Sequence, residues 1–363
     1  MAPILPIMGV GYHRKEKNKM KKPLISLVAL TASVMSANTF AATNMENPLY
    51  MPKNREVYLK TAAAMMYKTV EGTQATEKKG VSGNLEFPVW RFFGDIGYGI
   101  TDRLDVHGHF GYTKDGEIDR KGMHRGRIGL MFRALTEDYP IVLDLYADAY
   151  LSGVSPMKGT LKQYNNEFGF DFANYSNGRW GAIVGTRFGK TWDKYTLAAH
   201  VEYLQTFGNH NNKIAIDPSI MISGYPIAAF GMPDEISVDL KSTHETVAGF
   251  DFMYQMDEKW SFGAGFEYIE HYDNGVKSIH TKLETPIVPQ TYQDNLVNGL
   301  LEKTADMDDG WDEYVIKTSV TYQMSDTIHW TGFFEYTLDD AHAQSQNATD
   351  IKAELGIRMS ARF

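Results

Sequence analysis

The sequence contains no cysteine, which excludes both a disulfide framework and a thiolate metal site. It also lacks an excess of basic residues, since 36 Lys and Arg stand against 45 Asp and Glu for a formal net charge of −9. That balance argues against a nucleic-acid partner, which would bind to a basic face. No apolar run approaches the ~20 residues that a membrane-spanning helix requires.

The N-terminus has the pattern of a secretory signal peptide. The pair Lys21-Lys22 precedes an apolar run from Leu24 to Val34, and small residues ending in Ala41-Ala42 follow. A basic start, a short apolar run and a small-residue cleavage site together predict export and removal of this segment. A buried core helix is the alternative interpretation.

Alternation of apolar and polar residues is what recurs along the rest of the chain. Successive side chains of a strand point to opposite faces, so an unbroken alternation predicts a two-faced strand. The final segment is the clearest case, with apolar residues on one face and four charges on the other. Its apolar face is Ile351, Ala353, Leu355, Ile357, Met359, Ala361 and Phe363, and its polar face is Lys352, Glu354, Gly356, Arg358, Ser360 and Arg362.

The same pattern occurs in pairs of segments joined by tight polar turns. Five such hairpins and one further strand at each end give twelve predicted strands. These are Val57–Tyr67, Ile96–Ile100, Leu104–Tyr112, Ile128–Ala134, Ile141–Leu151, Trp180–Phe188, Tyr195–Phe207, Thr246–Met256, Trp260–Tyr268, Tyr314–Met324, Ile328–Leu338 and Ile351–Phe363.

Turn lengths and aromatic positions favour a membrane barrel over a soluble β-domain. The hairpin turns are short, whereas residues 208–244 and 273–311 are long connections, and many aromatic residues stand at strand ends as in interfacial girdles. An open sheet edge in hydrocarbon would leave backbone groups unsatisfied, so such a sheet must close. We therefore predict an all-β fold: a single transmembrane antiparallel β-barrel of about twelve strands, with short periplasmic turns and long extracellular loops.

Two motifs resemble those of Gram-negative outer-membrane β-barrels, the porin-like superfamily. The stretch from Gly99 to Val106 is similar to the periplasmic hairpin turn of these proteins, and the last strand ending in Phe363 is similar to their assembly signal. The resemblance covers the chain from about residue 55 onward and identifies no subfamily. It implies location in the outer membrane, contact with the lipid bilayer, and recognition of the C-terminal strand by the assembly machinery.

These observations predict two parts of the chain. Residues 1–42 are expected to be a signal peptide, cleaved after Ala41 or Ala42, and residues 43–363 the barrel. Met20 is a candidate translation start, which would make residues 1–19 an upstream extension.

If the apolar face contacts lipid, the opposite face lines the lumen. An Arg or Lys on the lipid side at mid-depth would cost ~2–4 kcal/mol, so the shared face of the charges fixes the orientation of the strands. The candidate lumen and selectivity residues are Asp105, His107, His109, Arg125, Arg127, Arg133, Asp144, Asp148, Arg187, Glu202, Lys317 and Arg358.

Two interpretations of this charged face stay open. Fixed charges select permeants in pores, and the column of Arg125, Arg127 and Arg133 facing Asp144 and Asp148 would favour anions. Alternatively, opposite charges pair across strands and fill the interior. About eight strands can be filled by side chains, while sixteen to eighteen leave an aqueous channel, and twelve lies between these values.

We expect a channel that passes small polar or charged solutes without a cofactor or a bound metal. A structural or adhesive outer-membrane barrel is the first alternative, and an outer-membrane barrel hydrolase is the second. Against an enzyme, no serine is placed by the strand pattern beside His200 or His329. His107 and His109 share a face but lack a third metal ligand, and the acidic residues of 306–312 lack the closing Glu of a calcium loop.

Two of the segments that connect strands have patterns that predict structure of their own. Residues 214–233 are apolar for a loop, so they predict a constriction in the barrel mouth, a hydrophobic docking patch, or a pair of extended strands beyond the membrane. Residues 290–303 predict a short amphipathic helix, which Gly299 weakens.

Overall fold

The computed structural model shows an almost entirely β chain. It describes residues 44–69, 89–114, 121–151, 158–164, 167–172, 178–222, 225–272, 276–281, 311–339 and 350–363. Within these ranges, no helix is both long enough and apolar enough to cross a bilayer. The predicted helix at 290–303 and most of the acidic segment 306–312 lie outside the described residues.

Twelve strands form a closed barrel. They are β1 (Val57–Thr69), β2 (Val89–Thr101), β3 (Leu104–Lys114), β4 (Lys121–Leu135), β5 (Val142–Leu151), β8 (Gly181–Trp192), β9 (Tyr195–Thr206), β14 (His244–Gln255), β15 (Trp260–Tyr272), β17 (Trp311–Ser325), β18 (Ile328–Asp339) and β19 (Asp350–Arg362). Their order round the barrel is β1-β19-β18-β17-β15-β14-β9-β8-β5-β4-β3-β2, and each strand pairs antiparallel with both neighbours. The predicted twelve-stranded antiparallel barrel is confirmed.

The first and last strands close the cylinder. The Val57 amide donates to the Phe363 carbonyl at 3.0 Å, and the Phe363 amide donates back to the Val57 carbonyl at 2.9 Å. Because these two residues are paired, the barrel has no free edge at its seam. Phe363 is 78% exposed.

Several strands are longer than the alternation predicted. Strand β2 begins at Val89 rather than at Ile96, because Trp90 and Phe92 continue its outward apolar face. Strand β8 extends to Trp192, so its turn is shorter than expected. Asp193 in that turn has a φ of 40°, in the left-handed region that a two-residue hairpin turn requires.

Seven shorter strands lie in the long connections. These are β6 (Lys158–Tyr164), β7 (Glu167–Phe172), β10 (Asn209–Ile216), β11 (Met221–Ile222), β12 (Tyr225–Pro226), β13 (Glu235–Leu240) and β16 (Val276–His280). Five of them form a second sheet in the order β16-β13-β10-β6-β7, and β11 pairs with β12. A short 3-10 helix covers Ile227–Phe230.

The described part of the apolar stretch 214–233 contains the end of β10, strands β11 and β12 and the 3-10 helix. Strand β10 pairs antiparallel with β13, with Lys213 opposite Ser237. The apolar side chains pack into a core of this second sheet, which explains why a surface connection is so rich in them. That core is Leu161, Ile214, Ile216, Ile220, Ile227, Met232, Ile236, Val238, Leu240, Val276 and Ile279.

Candidate functional site

The two faces of the barrel wall differ sharply in chemistry. On β4, the outward side chains of Ile128, Leu130 and Phe132 are 51%, 49% and 46% exposed, whereas Arg133 points inward and is buried. The other barrel strands repeat this arrangement, with large apolar residues exposed outside. Such a surface is unfavourable in water and matches the hydrocarbon of a bilayer. The chain is therefore a closed β-barrel whose outward face suits a membrane.

A buried ion-pair triad lies inside the barrel near the short turns. Arg133, Asp144 and Arg187 stand opposite one another on β4, β5 and β8. Asp144 accepts hydrogen bonds from Arg133 Nε at 2.8 Å and from Arg187 Nη2 at 2.6 Å. The Asp144 side chain is fully buried. One carboxylate therefore compensates two guanidinium groups, and the exposed Glu137 supplies a second acceptor to Arg133 at 2.6 Å.

A second charged cluster lies on the same wall, farther from the short turns than the triad. Arg127 donates to Glu202 at 3.1 Å, and its Nε lies 3.7 Å from Asp148. The hydroxyl of Tyr146 also donates to Glu202, at 3.2 Å. The Arg127 side chain keeps 36% of its surface exposed, whereas that of Arg133 keeps 7%. Arg127 is therefore the more accessible of these two cations from the lumen.

Histidines of β3 contact carboxylates of β2, β3 and β5. His107 lies between Asp105 at 2.9 Å and Asp148 at 3.0 Å. His109 pairs with Asp95 at 2.6 Å. The two candidate imidazoles therefore have separate carboxylate partners instead of converging on one point. In the part of the chain that the structure describes, no group of three or more His, Asp or Glu side chains is arranged to hold a metal ion.

The opposite wall carries a row of charges from β9 to β17. Lys317 pairs closely with Glu267, and His200 lies 3.3 Å from Glu267 and 3.5 Å from Asp251. Glu335 is directly opposite Lys317 in the strand register. Cations and carboxylates therefore alternate along this wall as they do along the other.

The segment before the first strand enters the barrel, which the sequence pattern did not predict. Residues 44–52, called the N-terminal plug below, contain no helix or strand, and Asn44 and Met45 are only 2% and 0% exposed. Asn44 donates to Gln255 and Ser261, each at 3.1 Å, through its side-chain amide. Asn47 donates to Thr196 at 3.2 Å. These partners stand at the short-turn ends of β9, β14 and β15, so the plug lies across that end of the lumen.

Charged side chains of the wall hold the plug as well. Glu46 accepts hydrogen bonds from Arg358 at 2.9 Å and from the Ser360 hydroxyl at 2.5 Å, with Lys60 at 3.6 Å. Burial acts to raise the pKa of the Glu46 carboxyl, but Lys60, Arg358 and Ser360 outweigh it and lower the pKa to about 2. Glu46 is therefore ionised at neutral pH.

The triad arginines also reach main-chain atoms of the plug. Arg133 donates to the Leu49 carbonyl at 2.5 Å, and Arg187 donates to the Tyr50 carbonyl at 3.2 Å. The Leu49 side chain packs against Val142 and Ala198. The triad is thus both part of the wall and a support for the plug.

A cavity of ≈ 370 Å³ lies between the plug and the charged walls. Its lining includes Glu46, Tyr50, Lys60, Asp95, Lys317 and Glu335. A chamber of this volume falls in the range of small-molecule sites in proteins.

The structure places almost all the predicted lumen residues on the inner wall. Asp105, His107, Arg127, Asp148 and Glu202 come together in one connected cluster. Arg133, Asp144 and Arg187 form the triad, Lys317 lies on the opposite wall, Arg358 contacts the plug, and His109 pairs separately. The side chain of Arg125 lies outside the described residues.

One serine–histidine–aspartate contact occurs in the second sheet. Ser278 and Asp239 lie 3.1 and 2.8 Å from the same nitrogen of His280, its Nε2. A catalytic triad uses both imidazole nitrogens, so this contact lacks the relay geometry. Burial acts to raise the pKa of Asp239, but hydrogen bonds from His280, the Asn211 amide, His210 and Ser278 lower it well below its usual range. Asp239 is thus an ionised anchor for the exposed histidines.

Comparisons with known proteins return structural likeness alone. Neither protein-family models nor curated proteins match the chain. An outer-membrane channel from Pseudomonas putida F1 is 12% identical with a TM-score of 0.49, covering 86% of this chain and 97% of that one. The NanC porin is 9% identical, with a TM-score of 0.40 and coverages of 85% and 98%.

The transport unit of the autotransporter AIDA-I from Escherichia coli is also similar, at 10% identity and a TM-score of 0.39. It covers 90% of this chain and 99% of its own. These similarities are too low to assign an activity. The architecture described above rests on the strands and register of this chain.

Proposed function

We propose that the barrel passes small polar or charged solutes across the outer membrane. The observation that carries this proposal is the charged cavity, ≈ 370 Å³ in volume, that the plug and residues of the lumen walls line. A barrel that served only as a scaffold would gain more from apolar filling, because burying charges costs free energy even when they are paired. Fixed charges along a water-filled passage are the means by which pores discriminate among ions.

Arg127 is the residue that we propose as the main selectivity contact. The sequence suggested a column of arginines, but Arg133 is buried in its ion pairs. Arg127 is partly exposed, with Glu202 at 3.1 Å. Removing Arg127 would leave that carboxylate without its cation, so the local charge would become more negative.

Planar-bilayer recording of the purified chain tests this proposal. We expect single-channel conductance, and we expect Arg127→Ala to shift the reversal potential in a salt gradient towards cation preference. Lys277→Ala is the matched control, because Lys277 is an exposed cation of the second sheet, outside the barrel. A reversal potential unchanged by Arg127→Ala rejects Arg127 as the filter. Absence of conductance from every variant, including those that release the plug, rejects the proposed function.

A structural or adhesive barrel is the second candidate, and the plug is the observation that favours it. Residues 44–52 lie across the short-turn end, which would stop solutes if they never move. The second sheet, with its own apolar core, could then serve as a platform. This candidate predicts no conductance under any condition of the bilayer experiment.

A further inference from the structure

We propose that the N-terminal plug is a releasable gate, which closes the short-turn end of the lumen when bound and opens it when it withdraws. This inference rests on the proposed channel function. The plug is the element of the chain that would control passage, and residues of the lumen wall hold it closed.

The plug lines one end of the charged cavity. Met45, Glu46, Asn47 and Tyr50 all line the cavity, so its floor consists of this segment. The wall itself is closed by strand pairing all round. Withdrawal of the plug would therefore extend the cavity towards the short-turn end without opening any strand pair.

Many contacts between the plug and the barrel wall are polar. Hydrogen bonds and ion pairs hold both asparagine and glutamate side chains of the plug: Asn44 to Gln255 and Ser261, and Glu46 to Arg358 and Ser360. Water can replace such contacts at low cost, in contrast to the packing of an apolar core. Met45, Leu49 and Met51 of the plug are buried as well, so its withdrawal must also expose these three apolar side chains.

The wall cations that contact the plug also have partners within the wall. Arg133 and Arg187 both donate to Asp144 as well as to plug carbonyls. Arg358 lies over the rings of Phe93 and Phe333, with its guanidinium carbon 5.7 and 5.2 Å from the two centroids. Loss of the plug would therefore leave these cations stabilised by the wall, and the open lumen would remain a stable state.

A disulfide lock tests the gate directly, because the chain has no cysteine of its own. The side chains of Asn47 and Thr196 are in contact at 3.2 Å, on the plug and on β9. In the double variant Asn47→Cys with Thr196→Cys, we expect bilayer conductance at least tenfold lower when oxidised than after addition of reductant. Each single variant is the control and should not respond to reductant.

A second variant loosens the plug without a disulfide. Glu46→Ala removes the ion pair with Arg358 and should raise the fraction of time that the channel is open several-fold. Glu137→Ala is the matched control, because Glu137 is a carboxylate at the same end of the barrel that pairs with Arg133 but is 62% exposed and does not contact the plug. A heat-modifiability gel shows that each variant retains the folded barrel.

The outcomes separate the gate from the channel. Conductance that is high in the locked double variant, and equal in Glu46→Ala and the unchanged chain, overturns the gate and leaves the channel standing. Absence of conductance in the reduced double variant and in Glu46→Ala overturns both.

Discussion

The carboxylate of Glu46 accepts a hydrogen bond from the guanidinium of Arg358 at 2.9 Å, across almost the whole length of the chain. Glu46 belongs to the plug and Arg358 to the last strand of the barrel. Arg358 stands opposite Ala62 of β1 in the strand register, so the ion pair joins the plug to the seam of the barrel. The charge of this one carboxylate therefore contributes to the stability of the bound plug, beside the contacts of Asn44, Asn47 and Leu49.

The pH dependence of the plug follows from Glu46. The pKa of this carboxyl is lowered from its ordinary 4.5 to about 2 by the cations and the hydroxyl around it. A group with a lowered pKa contributes stability that is fully present above its unfolded value and is lost as pH falls through its folded value. We therefore expect the plug to stay bound from pH 8 to about pH 5 and to weaken between about pH 4.5 and 2.

The measurement is bilayer conductance between pH 7 and pH 3, in the unchanged chain and in Glu46→Gln. The unchanged chain should open as pH falls, whereas Glu46→Gln should already be open more often at pH 7 and should change less. Equal pH profiles for the two proteins would contradict the role of Glu46.

Asp144 is expected to be the most costly single carboxylate of the lumen to remove. Asp144→Asn leaves Arg133 and Arg187 without their shared anion, and breaking a buried ion pair costs about 3–5 kcal/mol. Glu137→Gln removes a different, exposed partner of Arg133 and should cost at most about 1 kcal/mol. Urea unfolding in lipid vesicles measures both values. Equal losses for the two variants would show that the triad does not stabilise the wall.

Close packing around Gly129 gives a third prediction. A Cβ at this position would lie 1.9 Å from Asp148 Oδ1 and 2.5 Å from the Ala147 carbonyl oxygen. Gly129→Ala should therefore destabilise the barrel by about 1–3 kcal/mol. At Gly332 of β18 a Cβ would meet no atom within 4 Å, so Gly332→Ala should be neutral or slightly stabilising. The same urea titration compares them, and equal effects would contradict the packing described for the lumen face.

Phe363 is expected to affect insertion into the membrane in cells more than refolding of the purified protein. We propose that the assembly machinery recognises the C-terminal strand, whose last residue is exposed. Phe363→Ala should lower the amount of protein inserted in the outer membrane several-fold, while refolding in detergent proceeds to the same yield. Unchanged insertion in cells would argue against this recognition.

Alternation along single strands was enough to predict the barrel and its two faces. Ile128, Leu130 and Phe132 lie outside and Arg127 and Arg133 inside, because the side-chain period of a strand is two and only one face can contact hydrocarbon. The number of strands also follows, since each turn interrupts the period. Strand ends were less predictable, as at Val89, because glycine and charged residues hide the period on the lumen face.

The partners inside the lumen could not be predicted in the same way. Which cation meets which carboxylate depends on the register between strands, and the register that joins Arg133, Asp144 and Arg187 is set by the whole cylinder. The plug was missed because residues 44–52 form no regular element and so carry no period. Two asparagines and one glutamate before the first strand were the available signal, and similar residues occur in ordinary exposed segments.

The central claim is that alternate residues of each barrel strand face water and lipid, and single-cysteine labelling tests it most directly. The chain has no cysteine, so each substitution introduces the only thiol. On β17, Lys317 and Ser319 face the lumen, whereas Ile316 and Val320 are exposed on the outside. In lipid vesicles, a charged maleimide should label cysteines at the first two positions and leave the other two unlabelled. Labelling of consecutive positions without alternation would contradict the account.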